Sequence, residues 1–358
     1  MSDLIHGVQQ IGIGVADADA SFTWLRNAFG IDVPVFDDVG EPVHMLRYTG
    51  NSLQKRRAIL AASIRGGSAF EIWQYTSRAP EPPSFAIELG DTGILAARIK
   101  TADPQGASKR LAESGVEMLG GLSQDPAGVA GFFVRDPWNN LFQIVESDEW
   151  FTPERGPAAR RISSGGACGC LIGVSDMERA LAFYRDMLGY DTVRYDATGV
   201  FHDLAALPGG TRRVRRVRVE RSVPPSGPFG RWIGSSSLEL LQAYEHTARG
   251  ALQNRFWGDL GFIHLCFDIH GMDELKSRCR NGGFPFTVDS AESFDMGEAS
   301  GRFAYVEDPD GTLIEFVHAE RIPILKKLGI YLNLGKRDPA KPLPDWMIRL
   351  LGLGRVRS

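Results

Sequence analysis

Two distant stretches of this 358-residue chain read alike: IGIGVADADASFTWLRNAFGIDV at residues 11–33 and CLIGVSDMERALAFYRDMLGYDTV at residues 170–193. Each is a short apolar strand, then an aspartate (Asp17, Asp176), then an amphipathic helix stopped by glycine (Gly30, Gly189). Aspartate accepts from the free N–H groups at a helix start, and glycine adopts the left-handed turn at its end. In the second copy Met177, Ala180, Leu181, Tyr184 and Leu188 fall on one helical face. An internal repeat constrains the fold strongly, because each copy must bury its apolar face against another copy.

A looser pair extends the repeat. GILAARIKTADPQGASKRLAESGVEM begins at Gly93 and GFIHLCFDIHGMDELKSRCRNGGFPF at Gly261. Closing hairpins follow, FFVRDPWNNLFQIVES from Phe132 and FAYVEDPDGTLIEFVH from Phe303, each bent at an Asp-Pro turn. The strands SAFEIWQYTS and SSLELLQAYE close the first and third copies. The expected architecture is α+β: four βαβββ modules, A to D, starting near residues 5, 92, 166 and 260 and forming two curved mixed sheets. Modules A and B fill an N-terminal domain (1–150), with the proline-rich stretch 79–84 between them. A linker (151–162) precedes a C-terminal domain of modules C and D (163–321) and a tail (322–358). Within the tail, PDWMIRLLGLGRVRS predicts a short amphipathic helix that caps a neighbouring module rather than a membrane.

Composition narrows the partners. A formal charge of −4 lacks the basic footprint that phosphate recognition needs, so no nucleic-acid partner is expected. No apolar run reaches membrane-spanning length, and the first residues lack a secretory pattern. A cytoplasmic protein without a membrane partner is expected. Four cysteines (Cys168, Cys170, Cys266, Cys279) are too few for a disulfide scaffold and read as ordinary reduced thiols. The run TRRVRRVRVERS (211–222) alternates basic and apolar residues, as a strand does. It predicts a solvated strand face, or an edge that steers an acidic or phosphate-bearing substrate.

The strand-Asp-helix-Gly units, with GFIHLCFDI and DPDGTLIEF, resemble the vicinal oxygen chelate (glyoxalase-like) superfamily over nearly the whole chain. The resemblance implies paired modules that curl into a cup around one divalent metal, with ligands from the first and last strands of each module. Those positions are Gln10 and Glu71 in module A, Ala96 and Gln143 in B, Gly169 and Glu239 in C, and His264 and Glu315 in D. Neither A with B nor C with D gives a full set. Pairing A with D gives Gln10, Glu71, His264 and Glu315, the ligand pattern of the eukaryotic type of glyoxalase I. It leaves B with C as a degenerate, metal-free cup. Four modules in one chain have less need of a dimer, so a monomer is favoured.

One imidazole, one amide oxygen and two carboxylates suit a single ion of Zn, Ni, Co, Mn or Fe. The resemblance implies an isomerase, epimerase or lyase whose small-molecule substrate offers two vicinal oxygens. Glu315 acts there as the carboxylate base, with Glu71 opposite. Each residue also has a plain reading: Gln10 as a polar strand start, Glu71 and Glu239 as strand carboxylates, His264 as a core histidine. His6 is a substitute first-strand ligand if the register shifts by four. His44 and His202 read as surface or supporting groups, and His246, His270 and His318 as ordinary. The glutathione-binding pattern does not carry over, since its positions hold Gly14, Leu260 and Tyr75. Two alternatives remain. Tyr305-x-x-Asp308-Pro309-x-Gly311-x-x-x-Glu315 matches the end of an extradiol dioxygenase pattern. A metal-free binder would instead use Trp24, Trp73, Trp232, Phe256 and Trp257 as a cleft.

Overall fold

The structure is a computed structural model that describes residues 4–152, 164–290, 294–295, 300–325, 330–335 and 337–356. Module A contains β1 (Ile5–Gly14), α1 (Ala18–Phe29), β2 (Val33–Gly40), β3 (Arg56–Ala62) and β4 (Ala69–Tyr75). Module B contains β5 (Gly93–Thr101), α2 (Pro104–Glu113), β6 (Glu117–Gln124), β7 (Ala130–Arg135) and β8 (Leu141–Glu146). Module C contains β9 (Ser164–Gly173), α3 (Met177–Leu188), β10 (Thr192–Gly199), β11 (Val214–Glu220), the short α4 (Gly230–Ile233) and β12 (Ser237–Ala243). Module D contains β13 (Gly261–Ile269), α5 (Met272–Asn281), β14 (Val288–Asp289), β15 (Phe294–Asp295), β16 (Ser300–Glu307) and β17 (Leu313–Leu325). Strand β18 (Ile330–Asn333) and helix α6 (Asp345–Leu351) follow. The helix boundaries obey the expected signals. Asp17 accepts from the Ala20 N–H and Asp176 from the Arg179 N–H, while Gly30 and Gly189 end their helices in the left-handed conformation.

Two sheets result, and they do not follow the sequence halves 1–150 and 163–321. One sheet has the order β14-β16-β17-β13-β1-β4-β3-β2, with β15 and β18 pairing β16 and β17, so it joins modules A and D. The other has the order β10-β11-β12-β9-β5-β8-β7-β6 and joins modules B and C. A lone module would leave its first strand as an open edge of unpaired N–H and C=O groups. Antiparallel pairing of β1 with β13, and of β5 with β9, closes those edges. The adjacent modules B and C therefore pair with each other, nested inside the pair A and D.

The convex backs of the two sheets and the helices share one core. Phe142 of β8 reaches the rings of Trp24, Phe29, Phe70 and Phe262, at centroid distances of 5.3–5.9 Å. Burying one such ring contributes roughly 1.5–3 kcal/mol, so this contact holds the sheets back to back. Strand β17 continues to Leu325, past the expected module end at 321. Most of the linker 151–162 lies outside the described residues. No helix among the described residues is long and apolar enough to cross a membrane.

Candidate metal centre

The cup of the A/D sheet gathers the four residues singled out from the sequence. Register explains how. Gly12 of β1 lies between His264 on β13 and Glu71 on β4, and Cys266 of β13 faces Glu315 on β17. Period-two alternation then turns Glu71, His264 and Glu315 to the same concave face. One ligand atom from each of these three lies within 4.8 Å of the others. The Nε2 of His264 is 3.1 Å from a Glu315 oxygen and 3.4 Å from a Glu71 oxygen. His264 is fully buried, and Glu71 and Glu315 are buried to within 7% of full exclusion. Gln10 joins them, its amide donating to Glu71 Oε2 at 3.3 Å.

Apart from the Gln10–Glu71 bond, these atoms lie at ion-pair distance rather than in well-aligned hydrogen bonds. Neither His264 Nε2 nor Glu315 Oε2 has a hydrogen-bond partner of acceptable geometry. Buried polar atoms are rarely left so, and a donor set of one imidazole and two carboxylates whose ligand atoms lie within 4.8 Å of one another fits a divalent cation. The electrostatics agree. Burial opposes a charge on His264, but Glu315 and then Glu71 outweigh it and hold the imidazole up at about 9. The cluster, in other words, demands positive charge.

Supporting groups fix the imidazole. Its Nδ1 faces the Tyr305 hydroxyl at 3.4 Å, and Trp257 lies parallel to the ring, 6.3 Å away. A partner on the second ring nitrogen is what orients a metal-binding histidine. Gly12 leaves room for it: a Cβ there would sit 2.4–2.7 Å from three imidazole atoms. Tyr305 stood in the dioxygenase-like pattern, but nothing in the sequence marked Gly12 or Trp257 as neighbours of His264.

Other candidates fall elsewhere. His6 stacks on His270, bonds Ser226 through Nδ1 at 2.9 Å, and is lowered to about 3 by burial and then by His270. A second acidic group, Glu88, Asp91 and His246, is already neutralised by Arg249 and Arg212. Cys168 and Cys170 carry raised thiols, through burial above all, and join no metal-holding group among the described residues. The aromatics divide: Trp73, Trp232 and Trp257 line the A/D cavity, Trp24 packs in the core, and Phe256 lies under Arg78.

The B/C cup holds a guanidinium where the first cup gathers ligands. Arg216 is fully buried and pairs with both Glu239 and Asp203. Arg98, also buried, donates to Gln143 at 3.0 Å and to Ser237. Glu239 is held below the usual carboxylate range; its burial is outweighed by Arg216 and Arg98. This corrects the reading of the arginine run as a solvated face at Arg216, which is fully buried. Arg212, Arg215 and Arg218 pair with Glu88, with Asp196 and Glu178, and with Asp125 and Glu220 respectively. Alternation along β11 puts Arg216 and Arg218 on the face that carries Glu239, and Arg215 on the opposite one.

Comparisons with known proteins agree with this architecture. No curated protein matches the sequence. Among solved structures, glyoxalase I from Zea mays is similar at 13% identity and a TM-score of 0.54, over 87% of this chain and 92% of that one. A Bacillus subtilis protein described as a candidate dioxygenase is similar at 12% identity and a TM-score of 0.57, over 88% and 86%. At such identity the likeness shows the fold. The sequence pattern of the Glyoxalase/Bleomycin resistance protein/Dioxygenase superfamily matches residues 7–144 and 169–316. With two matched regions that span most of its length, the chain belongs to that superfamily.

Proposed function

We propose that the A/D cup binds one divalent ion through Gln10, Glu71, His264 and Glu315, and that the protein is an isomerase, epimerase or lyase for a small molecule with vicinal oxygens. The convergence of unbonded His264 Nε2 and Glu315 Oε2 beside Glu71 carries this reading. The donor set suits Zn, Ni, Co, Mn or Fe. When bound, such an ion polarises a chelated carbonyl and makes its α-proton more acidic. Glu315 is the residue to take that proton, because one of its oxygens is free of hydrogen bonds and it lines the cavity. Glu71 is engaged by the Gln10 amide and serves as a fixed ligand. For Gln10 to ligate, its amide turns so that the oxygen faces the cluster. Tyr305 and Trp257 hold the imidazole plane, and the apolar walls exclude water from the proton transfer.

Elemental analysis and metal titration of wild type and His264→Ala test the reading. About one ion per chain, lost in the variant, is expected. Failure to take up any divalent ion after reconstitution overturns it in favour of a metal-free binder. Specific iron retention with oxygen uptake on catechols would establish ring cleavage instead. That outcome has little support in the site, which offers one histidine among the described residues.

A further inference from the structure

We infer that the substrate of this site carries an extended, uncharged apolar body, and that the C-terminal tail sets the length it accepts. The inference rests on the metal-centre reading only for the chelating head group. The cavity beside Glu71 and Glu315 has a volume of about 340 Å³, the size of a pocket for one small molecule. Its wall runs along β17 from Glu315 through Val317 and Ala319 to Ile322, about 23 Å of strand at ~3.3 Å per residue.

The lining of that path is mostly apolar, aliphatic side chains interleaved with aromatic rings. Near the ligands it is built by Trp73, Trp257 and Phe303, and elsewhere by Phe229 and Trp232 of module C. Arg56 is the one Lys or Arg among the described lining residues, and it is already used. Its guanidinium bonds the Asp38 carboxylate at 2.5 Å and the Asp38 carbonyl at 2.9 Å, and lies over Trp73. Besides the exposed His44 imidazole, a terminal carboxylate or phosphate would find no spare guanidinium or ammonium in this cavity, and burying an unpaired charge is costly.

The tail completes the wall. Leu351 of α6 lines the cavity, and Leu343 and Ile348 are buried beside it. Backbone bonds from Leu343 to Pro228 and from Gly227 to Ala340 tie the tail to module C. Arg355 pairs with Asp32 at 2.8 Å, and Val356 donates to the Asp32 carbonyl, tying it to module A. A segment fixed at both ends, with one leucine in the cavity wall, acts as a stop for the bound body.

Hydroxamic acids test this directly, since their head group presents two vicinal oxygens. Binding is measured by calorimetry on zinc-loaded and on chelator-treated protein. Octanohydroxamate is expected to bind the loaded protein at least 100-fold more tightly than acetohydroxamate, because each buried methylene contributes roughly fourfold. Suberic monohydroxamate, of equal length but ending in a carboxylate, is expected to lose at least tenfold of that gain. Equal affinity for the octanoyl and acetyl compounds, or undiminished binding of the carboxylate, overturns the substrate class and leaves the metal reading intact. Octanohydroxamate affinity that is unchanged by zinc removal overturns the metal reading and leaves the apolar class intact. Leu351→Ala is expected to move the preference to decanohydroxamate while acetohydroxamate affinity stays the same. An unmoved preference overturns the role of the tail.

Discussion

Replacing Gly12 with alanine adds one methyl group, and the structure says where it goes. The new Cβ would lie 2.4 Å from His264 Cε1, 2.6 Å from Nδ1 and 2.7 Å from Nε2. Ordinary contact begins near 3.4 Å, so the ring must retreat by about 1 Å. Metal–ligand distances tolerate only ~0.2 Å. A retreat of that size takes Nε2 out of the cluster and weakens the site at least as much as losing a supporting residue does, by 10- to 100-fold. Overpacking also costs ~1–3 kcal/mol of stability. Zinc titration reads the first effect, and urea unfolding in the presence of chelator reads the second. The decisive measurement is a double-mutant cycle with His264→Ala. With the imidazole gone, the three contacts under 3 Å go with it, and most of the stability cost of Gly12→Ala should vanish. Wild-type zinc affinity in Gly12→Ala, or an equal stability cost in both backgrounds, refutes the steric argument.

Two further outcomes are expected. Arg216→Met strands Asp203 and leaves Glu239 with Arg98 as its remaining nearby cation, and should cost ~3–5 kcal/mol in urea unfolding, while zinc stoichiometry at the other cup stays at one. Burial holds the Asp268 carboxyl up at about 8, against ~3.9 in the unfolded chain. The folded protein therefore keeps a proton that the unfolded chain loses above pH 4, and stability falls as pH rises from about 4 to 8, by up to about 5 kcal/mol. Asp268→Asn should flatten that fall, seen as a smaller difference between urea midpoints at pH 5 and pH 8 than in wild type.

Much of this was legible in the sequence, for identifiable reasons. Asp17, Gly30, Asp176 and Gly189 perform local tasks, and local chemistry is written in local text. The grouping of Gln10, Glu71, His264 and Glu315 came from laying the superfamily's ligand positions, which the resemblance supplied, onto the four repeated modules, and the structure brings those side chains into one cup. What stayed hidden depends on pairing between distant strands. Gly12 reads as one more small residue in a strand until β13 is placed opposite it. Arg216 looks outward-facing until β11 is bent round a cup that contains Glu239. The pairing of A with D was read from where the family's ligand positions fall, whereas the boundary at 150 followed chain order and missed that β1 pairs β13. The tail offered an amphipathic helix but no sign of which residue would reach the cavity.

The nesting of one sheet inside the other has a consequence for synthesis. All strands of the B/C sheet lie between Gly93 and Ala243, so that sheet can close while the chain is still leaving the ribosome. Strand β1 emerges first but pairs with β13, which is completed only at Ile269. At 5–20 residues per second, its apolar edge waits on the order of 10–50 s for a partner. The strands that carry Gln10 and His264 are thus made far apart in time, and that interval is when a chaperone has most to protect.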